Sequence, residues 1–229
     1  MISHLLAPAV FTSQQALVEG DAYRHLFRAR RLAVGERLRV VDGLGHARWA
    51  EVTRIDRRAA TLSLGQPAPS HEPDYQLALL VAPIRPERAS WLVEKATELG
   101  VSAIRFLASE RAPRRFGPGT LERLARVARA AVVQSHRATV PAITGVHGWY
   151  QLERLLVGFG DRFFLDPEAA PSAQAQSQSL SGVVVVGPEG GFAPVEQKTL
   201  ARMATAVCFG PRILRTETAA LAAAAKLMA

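Results

Sequence analysis

Cysteine is nearly absent: Cys208 is the only one in 229 residues. One thiol excludes a disulfide framework and any cysteine-based zinc site within the chain. Cys208 lies in a strand pattern and reads as a small buried hydrophobe rather than a nucleophile. Lysine is scarce as well. Lys95, Lys198 and Lys226 are all there is, so 25 of the 28 basic residues are arginine. No apolar run approaches the roughly 20 residues that span a bilayer. The N-terminus shows no basic region followed by an apolar core, and its longest apolar stretch, residues 5–11, contains Pro8. The expectation is a soluble cytoplasmic protein with no membrane partner. The common chemical motifs are missing too. There is no G-x-G-x-x-G, no G-K-[ST], no G-x-S-x-G, no H-E-x-x-H and no close histidine pair. Most dinucleotide, NTPase, serine-hydrolase and metal-site readings go with them, and no metal is expected.

What is present is ordinary globular composition, 48% hydrophobic and 21% charged, with a net charge of +8. Such an excess attracts polyanions, nucleic acid above all. The length suits one large or two small domains.

Residues 1–66 read as mostly β. Residues 37–41, 47–52 and 60–64 are strand candidates separated by Gly and Asp turns, the pattern of a small barrel or sandwich. Tyr23 to Leu32 predicts a short helix with Arg24, Arg28 and Arg31 at i, i+4 and i+7 on one face. Two readings stay open for that stripe, a solvated polar face or a set of phosphate contacts. The Pro-rich segment 66–73 reads as an extended linker, which places the domain boundary there, 1–70 and 71–229.

Beyond it strands and helices alternate. Residues 75–81, 101–107 and 162–165 predict strands. Residues 87–99 and 121–132 predict helices, the second with Arg123, Arg126 and Arg129 as a polar stripe. The stretch from Ala170 to Ser181 predicts a mobile loop. The alternation implies a mainly parallel sheet with helices on both faces.

The last fifty residues hold two loops, each reading as a strand that opens into Gly and Pro and then runs into a helix. One is Val183-Val184-Val185-Val186-Gly187-Pro188-Glu189-Gly190-Gly191-Phe192. The other is Phe209-Gly210-Pro211-Arg212-Ile213-Leu214-Arg215-Thr216-Glu217-Thr218. Loops at the carboxyl ends of strands are where open α/β sheets bind ligands. The first loop is followed by a helix from Pro194, with Ala193 a poor cap and Glu196 at its third position. On its own it is equally a tight strand-to-helix turn. In the second, Thr216 can cap the last helix, Glu217 suits its dipole, and Arg215 can pair with Glu217 or face a substrate.

Together these segments resemble the bacterial 16S ribosomal RNA uridine-N3 methyltransferases of the SPOUT class. His25 to Gly35, followed by Asp42-Gly43, looks like the family's N-terminal segment. Lys95 to Val101, Ser109-Glu110-Arg111, and Gln134-Ser135-x-Arg137 with Pro141 are similar to three further signatures, and the two loops complete the set. Val133 stands where the family often has Glu, and His4 where it often has Arg.

The resemblance implies an N-terminal PUA-like β-barrel and a C-terminal α/β SPOUT domain with a deep trefoil knot. It implies a homodimer, S-adenosylmethionine as methyl donor, and a uridine in the decoding region of the small ribosomal subunit as target. The cofactor would be held by Leu165, Gly187, Pro188, Glu189, Gly190, Gly191, Phe209, Gly210, Ile213, Leu214 and Thr218, largely through backbone. The chemistry would fall to Arg215, with Arg212 and Glu217 as further candidates, because N3 of uracil must lose its proton and cations favour the anion. RNA would be held by Arg24, Arg28, Arg30, Arg31, Arg85, Arg88 and Arg111. The Ala-rich last helix suits a dimer interface or a core equally. Two other readings are a SPOUT enzyme acting on another RNA position, and a non-catalytic ribosomal RNA-binding protein.

Overall fold

The computed structural model describes residues 2–112, 116–169 and 179–228. Most of the Ser/Gln/Ala-rich stretch expected as a mobile loop, 170–178, lies outside the described residues. The chain divides into two compact units, Met1–Glu72 with Val132–Val140, and Pro73–Ala131 with Pro141–Ala229.

The first unit holds β1 (Ser3–Leu5), α1 (Pro8–Phe11), β2 (Gln15–Glu19), α2 (Gly20–Tyr23), β3 (Arg37–Val41), β4 (Ala47–Ile55) and β5 (Ala59–Pro67). They form one curled sheet of half-barrel form, in the order β1-β3-β4-β5-β2. It is antiparallel except where β1 runs parallel to β3. Alternation sets its inner face: Ala16 and Val18 of β2, and Ala60, Leu62 and Leu64 of β5, are buried while their neighbours are not. β1 and β2 are too short to stand out from sequence.

The expected Arg stripe does not form as a 3.6-residue face. α2 passes at Tyr23 into a π-helical turn, Arg24–Ala29, and Arg31 lies beyond it with φ +56°. The wider turn rotates successive side chains differently. Arg24 pairs with Asp21. Arg28 donates to the Arg57 carbonyl at 3.2 Å and lies over the Tyr23 ring. Arg30 and Arg31 are exposed.

The Pro-rich segment is not a free linker either. Gln66 and Pro67 end β5, and the Pro69 carbonyl accepts two bonds from Arg39, at 2.9 and 2.7 Å. Glu72 is the acceptor for Arg137 and for the amides of Ala138 and Thr139. Burial would raise the Glu72 carboxyl, but these bonds outweigh it and hold it below the usual value. Arg137, a member of one family-like segment, is thus a structural residue, 3% exposed. His4 on β1 is no stand-in for arginine: burial, with the charge of His25, lowers it to about 4, so it is neutral at pH 7.

The second unit holds β6 (Gln76–Val81), α3 (Pro86–Glu98), β7 (Ala103–Leu107), α4 (Thr120–Gln134, whose last turn joins the first unit), β8 (Ala142–His147), α5 (Leu152–Leu156), β9 (Asp161–Leu165), β10 (Ser181–Val186), α6 (Pro194–Ala201), β11 (Thr205–Val207) and α7 (Thr216–Met228). The sheet is six-stranded and wholly parallel, in the order β11-β9-β10-β6-β7-β8. β10 enters between β6 and β9, both earlier in the chain. Its Val183–Val186 and the Leu77–Val81 run of β6 are buried on both faces, which explains their unbroken apolar sequence. α7 buries Ala220, Ala223 and Ala224 and packs on α3, so its small residues serve the core of this unit.

Candidate active site

Because every strand of the second sheet runs the same way, all six carboxyl ends share one edge. The loops that leave this edge carry the candidate site, in two adjoining parts.

The first part is a cleft where β9 and β11 end. Leu165, Asp166, Pro167, Val207, Cys208, Phe209, Gly210, Arg212, Leu214 and Ala219 line it. Leu165, Phe209, Gly210 and Leu214 were expected there. Asp166, Pro167, Val207, Cys208 and Ala219 were not, though Asp166-Pro167 directly follows a strand. Cys208 is half-buried at the cleft, its thiol donating to the Gly210 carbonyl at 3.1 Å, rather than sunk in the core as expected. Gly210 has φ +135°, a conformation that side-chain-bearing residues rarely adopt. The amides of Phe209, Gly210, Arg212, Ile213 and Leu214 donate no hydrogen bond to another described backbone group, which leaves donors beside an apolar wall; Pro211 has none. Such a lining fits a flat heteroaromatic ring held on both faces and read along its edge by backbone. Ile213 is 89% exposed and Thr218 is exposed, and neither lines the cleft.

The second part is a basin at the ends of β6 and β10. Pro83, Ile84, Arg85, Arg88, Arg111, Ala112, Glu189 and Arg215 line it. Four arginines from three loops and α3 thus meet one carboxylate. Arg88 donates to Glu189 Oε1 at 3.2 Å and lies 3.5 Å from Glu217 Oε1. Arg88, not Arg215, is therefore the partner of Glu217. The reason is direction: Glu217 points inward from the first turn of α7 and is 6% exposed, while Arg215 precedes the helix and is exposed. Glu217 Oε2 is buried without a partner. The Arg215 side chain makes no hydrogen bond or ion pair with another described residue, its carbonyl alone accepting from the Ala219 amide, so its cation is free to meet a ligand. Arg212 belongs to the cleft, apart from Arg215.

Side chains pin the glycine loop between the two parts. Thr216 Oγ1 donates to the Gly187 carbonyl at 3.0 Å, joining the two Gly loops instead of capping α7. Arg111 donates to the Gly190 carbonyl at 2.6 Å. Glu196 accepts from its own helix start, the Ala193 amide at 2.9 Å, and from the Glu110 amide at 2.8 Å. Glu196 so makes up for the weak cap at Ala193 and ties the loop after β7 to α6. Sequence spacing reveals the half-box Ala193–Glu196 but not its second partner, 86 positions away.

Comparison with known proteins agrees with this architecture. A family described as "RNA methyltransferase domain" matches residues 71–228, and one described as "RNA methyltransferase PUA domain" matches residues 18–65. The chain is 35% identical to ribosomal RNA small subunit methyltransferase E of Mycobacterium bovis over 231 residues, covering 93% of this chain and 85% of that protein.

The chain belongs to the RNA methyltransferase family.

Its relative of the same name in Bacillus subtilis is 26% identical, covering 89% of this chain and 86% of that one. A crystal structure of the Neisseria gonorrhoeae enzyme bound to S-adenosyl methionine is 28% identical, with a TM-score of 0.85 and coverage of 98% and 95%. An apolar, backbone-lined cleft stands beside an arginine basin, and the two adjoin where loop 187–193 meets the segment 209–216.

Proposed function

We propose that the protein transfers a methyl group from S-adenosylmethionine to N3 of a uridine in the decoding region of 16S ribosomal RNA. The observation that carries this reading is the free cation of Arg215 at a basin adjoining the apolar cleft. The relatives' shared name supports a small-subunit ribosomal RNA substrate, and the gonococcal complex supports the cofactor.

Bound S-adenosylmethionine supplies an electrophilic methyl. The chain does the rest. Leu165, Phe209 and Leu214 offer apolar faces to the adenine, and the amides on either side of Pro211 in 209–214 offer donors to its edge. Loop 187–191, held by Thr216 and Arg111, closes the side toward the basin. There Arg215 meets a uracil carbonyl, so the charge left when N3 gives its proton to water falls beside a cation. Glu217 fixes Arg88 so that its guanidinium faces the same basin. Reaching N3 in folded RNA requires extruding the base, and Arg24, Arg28, Arg30 and Arg31 of the first unit hold phosphates of the flanking strand. The strand order, with β10 inserted between β9 and β6, supports a knotted arrangement of the two loops. Exposed Ile213, beside the cleft, supports a homodimer in which a second copy covers it.

The test uses labelled cofactor, the full-length protein and small subunits from cells lacking the gene, with the methyl group then mapped. Transfer to N3 of one uridine is expected. Transfer to another base or position rejects the target, and no transfer to any RNA rejects the enzyme.

A further inference from the structure

The same carboxyl edge continues past the basin to the ends of β7 and β8, where a second cleft opens that the methyl-transfer site does not use. Ser109, Glu110, Phe116, Trp149, Tyr150 and Gln151 supply its chemistry. The chain has only fifteen aromatic residues, yet three of them meet here. Tyr150 is 88% exposed, the most exposed aromatic among the described residues. Its ring lies against the backbone of Gly148, so closely that a Cβ at 148 would overlap it. The ring is thus fixed from below and bare above. Phe116 is anchored edge-on to Phe106 at 4.6 Å, and Trp149 stands 5.9 Å from Phe192, which ends the first Gly loop.

Besides Trp149 and Tyr150, the polar groups of the lining are two carboxylates, the Ser109 hydroxyl, the His147 imidazole and the Gln151 amide. Ser109 is 5% exposed, and its Oγ is buried without a partner. Among the described residues of the lining, Glu110 and Glu122 carry carboxylates and none is an arginine or lysine. Gln151 spends its carbonyl on the Gly148 amide at 3.0 Å. A cleft whose described charges are two carboxylates disfavours phosphate. It suits a flat group that carries amino hydrogens on its edge, and carboxylates accept from the exocyclic amines of bases. Stacking on an exposed ring is how single-stranded RNA is held by base rather than by backbone.

We propose that this cleft binds an unstacked, amino-bearing base of the RNA substrate, next to the nucleotide that enters the basin, with Tyr150 as the stacking platform and Ser109 and Glu110 as acceptors. The inference rests on the RNA methyltransferase reading. Chain continuity supports it: Glu110 faces this cleft while the adjacent Arg111 faces the basin. One strand of RNA passing along the edge meets the aromatic cleft and the arginine basin in turn.

The experiment measures binding of fluorescently labelled RNA hexamers to the full-length protein, all uridine or with one cytidine, by anisotropy. The wild type should prefer the cytidine-containing hexamer. Tyr150→Leu should weaken that hexamer about tenfold and remove the preference, a factor within the range of base–aromatic stacking. Tyr150→Phe should restore it, and Glu110→Gln should lose the preference while keeping most of the affinity. Gly148→Ala, which displaces the ring, should imitate Tyr150→Leu more mildly. Equal affinity of wild type and Tyr150→Leu for both hexamers overturns the proposal. Weakened binding to small subunits with unchanged hexamer binding also overturns it, by assigning the cleft to a ribosomal protein. Methyl transfer measured on the same preparations keeps the two claims apart. A wild type that transfers nothing but shows the Tyr150 effect sinks the proposed function and leaves the base site standing.

Discussion

Two groups of arginines in this molecule share a chemistry and differ in everything else. In the first unit, Arg39 is fully buried and donates to the Pro69 carbonyl twice, to Ser3 Oγ at 3.3 Å and to the Arg137 carbonyl at 3.2 Å. Arg137 is held by Glu72, and Arg48 donates to four carbonyls, those of Phe11, Ser13, Leu64 and Gly65. In the basin of the second unit, the Arg215 side chain meets no acceptor among the described residues, and Arg111 donates to the Gly190 carbonyl. The chain supplies acceptors to the buried arginines and, among the described residues, none to the side chain of Arg215. An arginine count therefore says little about nucleic-acid binding until the acceptors are counted beside it.

The sharpest test of this contrast is Arg215→Ala. With no protein partner to lose, the variant should keep its melting temperature and its affinity for S-adenosylmethionine. Methyl transfer should fall roughly 100- to 1,000-fold, the range for removing one charge-stabilising group from a site. Calorimetry and a labelled-methyl assay check the two halves. Unchanged turnover would remove Arg215 from the chemistry and leave the basin as a mere RNA contact.

Arg39→Met should do the reverse. It leaves the Pro69 and Arg137 carbonyls without their donor inside the unit, at a cost of about 3 kcal/mol. Turnover per folded molecule and cofactor affinity should be retained. Denaturant midpoints read the loss, and a variant as stable as wild type would show that Arg39 is only tolerated where it lies.

A smaller effect comes with acid. The folded-state value of His4 is about 4 against 6.5 in an exposed chain, so the unfolded state binds the proton first. Stability is full above 6.5 and is lost as the pH falls from there through 4. Between pH 7.5 and 5 the loss from this one group is about 2 kcal/mol. Glu72, also held below its usual value, adds to the loss at still lower pH. His4→Phe should flatten the upper part of the curve. An equally steep curve in that variant would place the acid sensitivity elsewhere.

Much of the second unit was readable because its signals are local. Strands buried on both faces give unbroken runs such as 183–186, and amphipathic helices such as α3 and α4 show their period. The cleft was partly readable for the same reason, since Phe209, Gly210 and Leu214 are neighbours in sequence. The basin was less so. Arg85, Arg88, Arg111 and Arg215 come together only because β6, β7 and β11 end on one edge, and Arg88 answers Glu217 across 129 positions. The Arg24–Arg31 stripe failed on a different ground. A π-helical turn has no signature in residue spacing, so a face counted at 3.6 residues per turn was the wrong face. β1 has only three residues, and β8 lacks both an apolar run and an alternation, being half-buried from Ile143 to His147.

Arg88 falls between the two groups and tests whether the distinction is one of kind or of degree. Its guanidinium lines the basin, as Arg215 does, yet it is held by Glu189 and by buried Glu217, as Arg137 is held by Glu72. Glu189 lies in the first Gly loop and Glu217 opens α7, so this side chain also ties that loop to the start of α7. Arg88→Gln keeps a donor for Glu189 but takes the cation from Glu217. The expected outcome is a mixture, each part smaller than in the pure cases. Stability should fall by about 1 kcal/mol, less than for a fully buried pair because Arg88 is 30% exposed. Transfer should fall about tenfold, a cost of about 1.4 kcal/mol in transition-state stabilisation. Adding the second change Glu217→Gln removes the stranded carboxylate and should return the stability but not the turnover. If the double variant recovers both, Arg88 acts only by neutralising Glu217 and belongs with the structural arginines. If it recovers neither, the guanidinium works on the basin and on the loop join at once, and the two classes of arginine meet in one side chain.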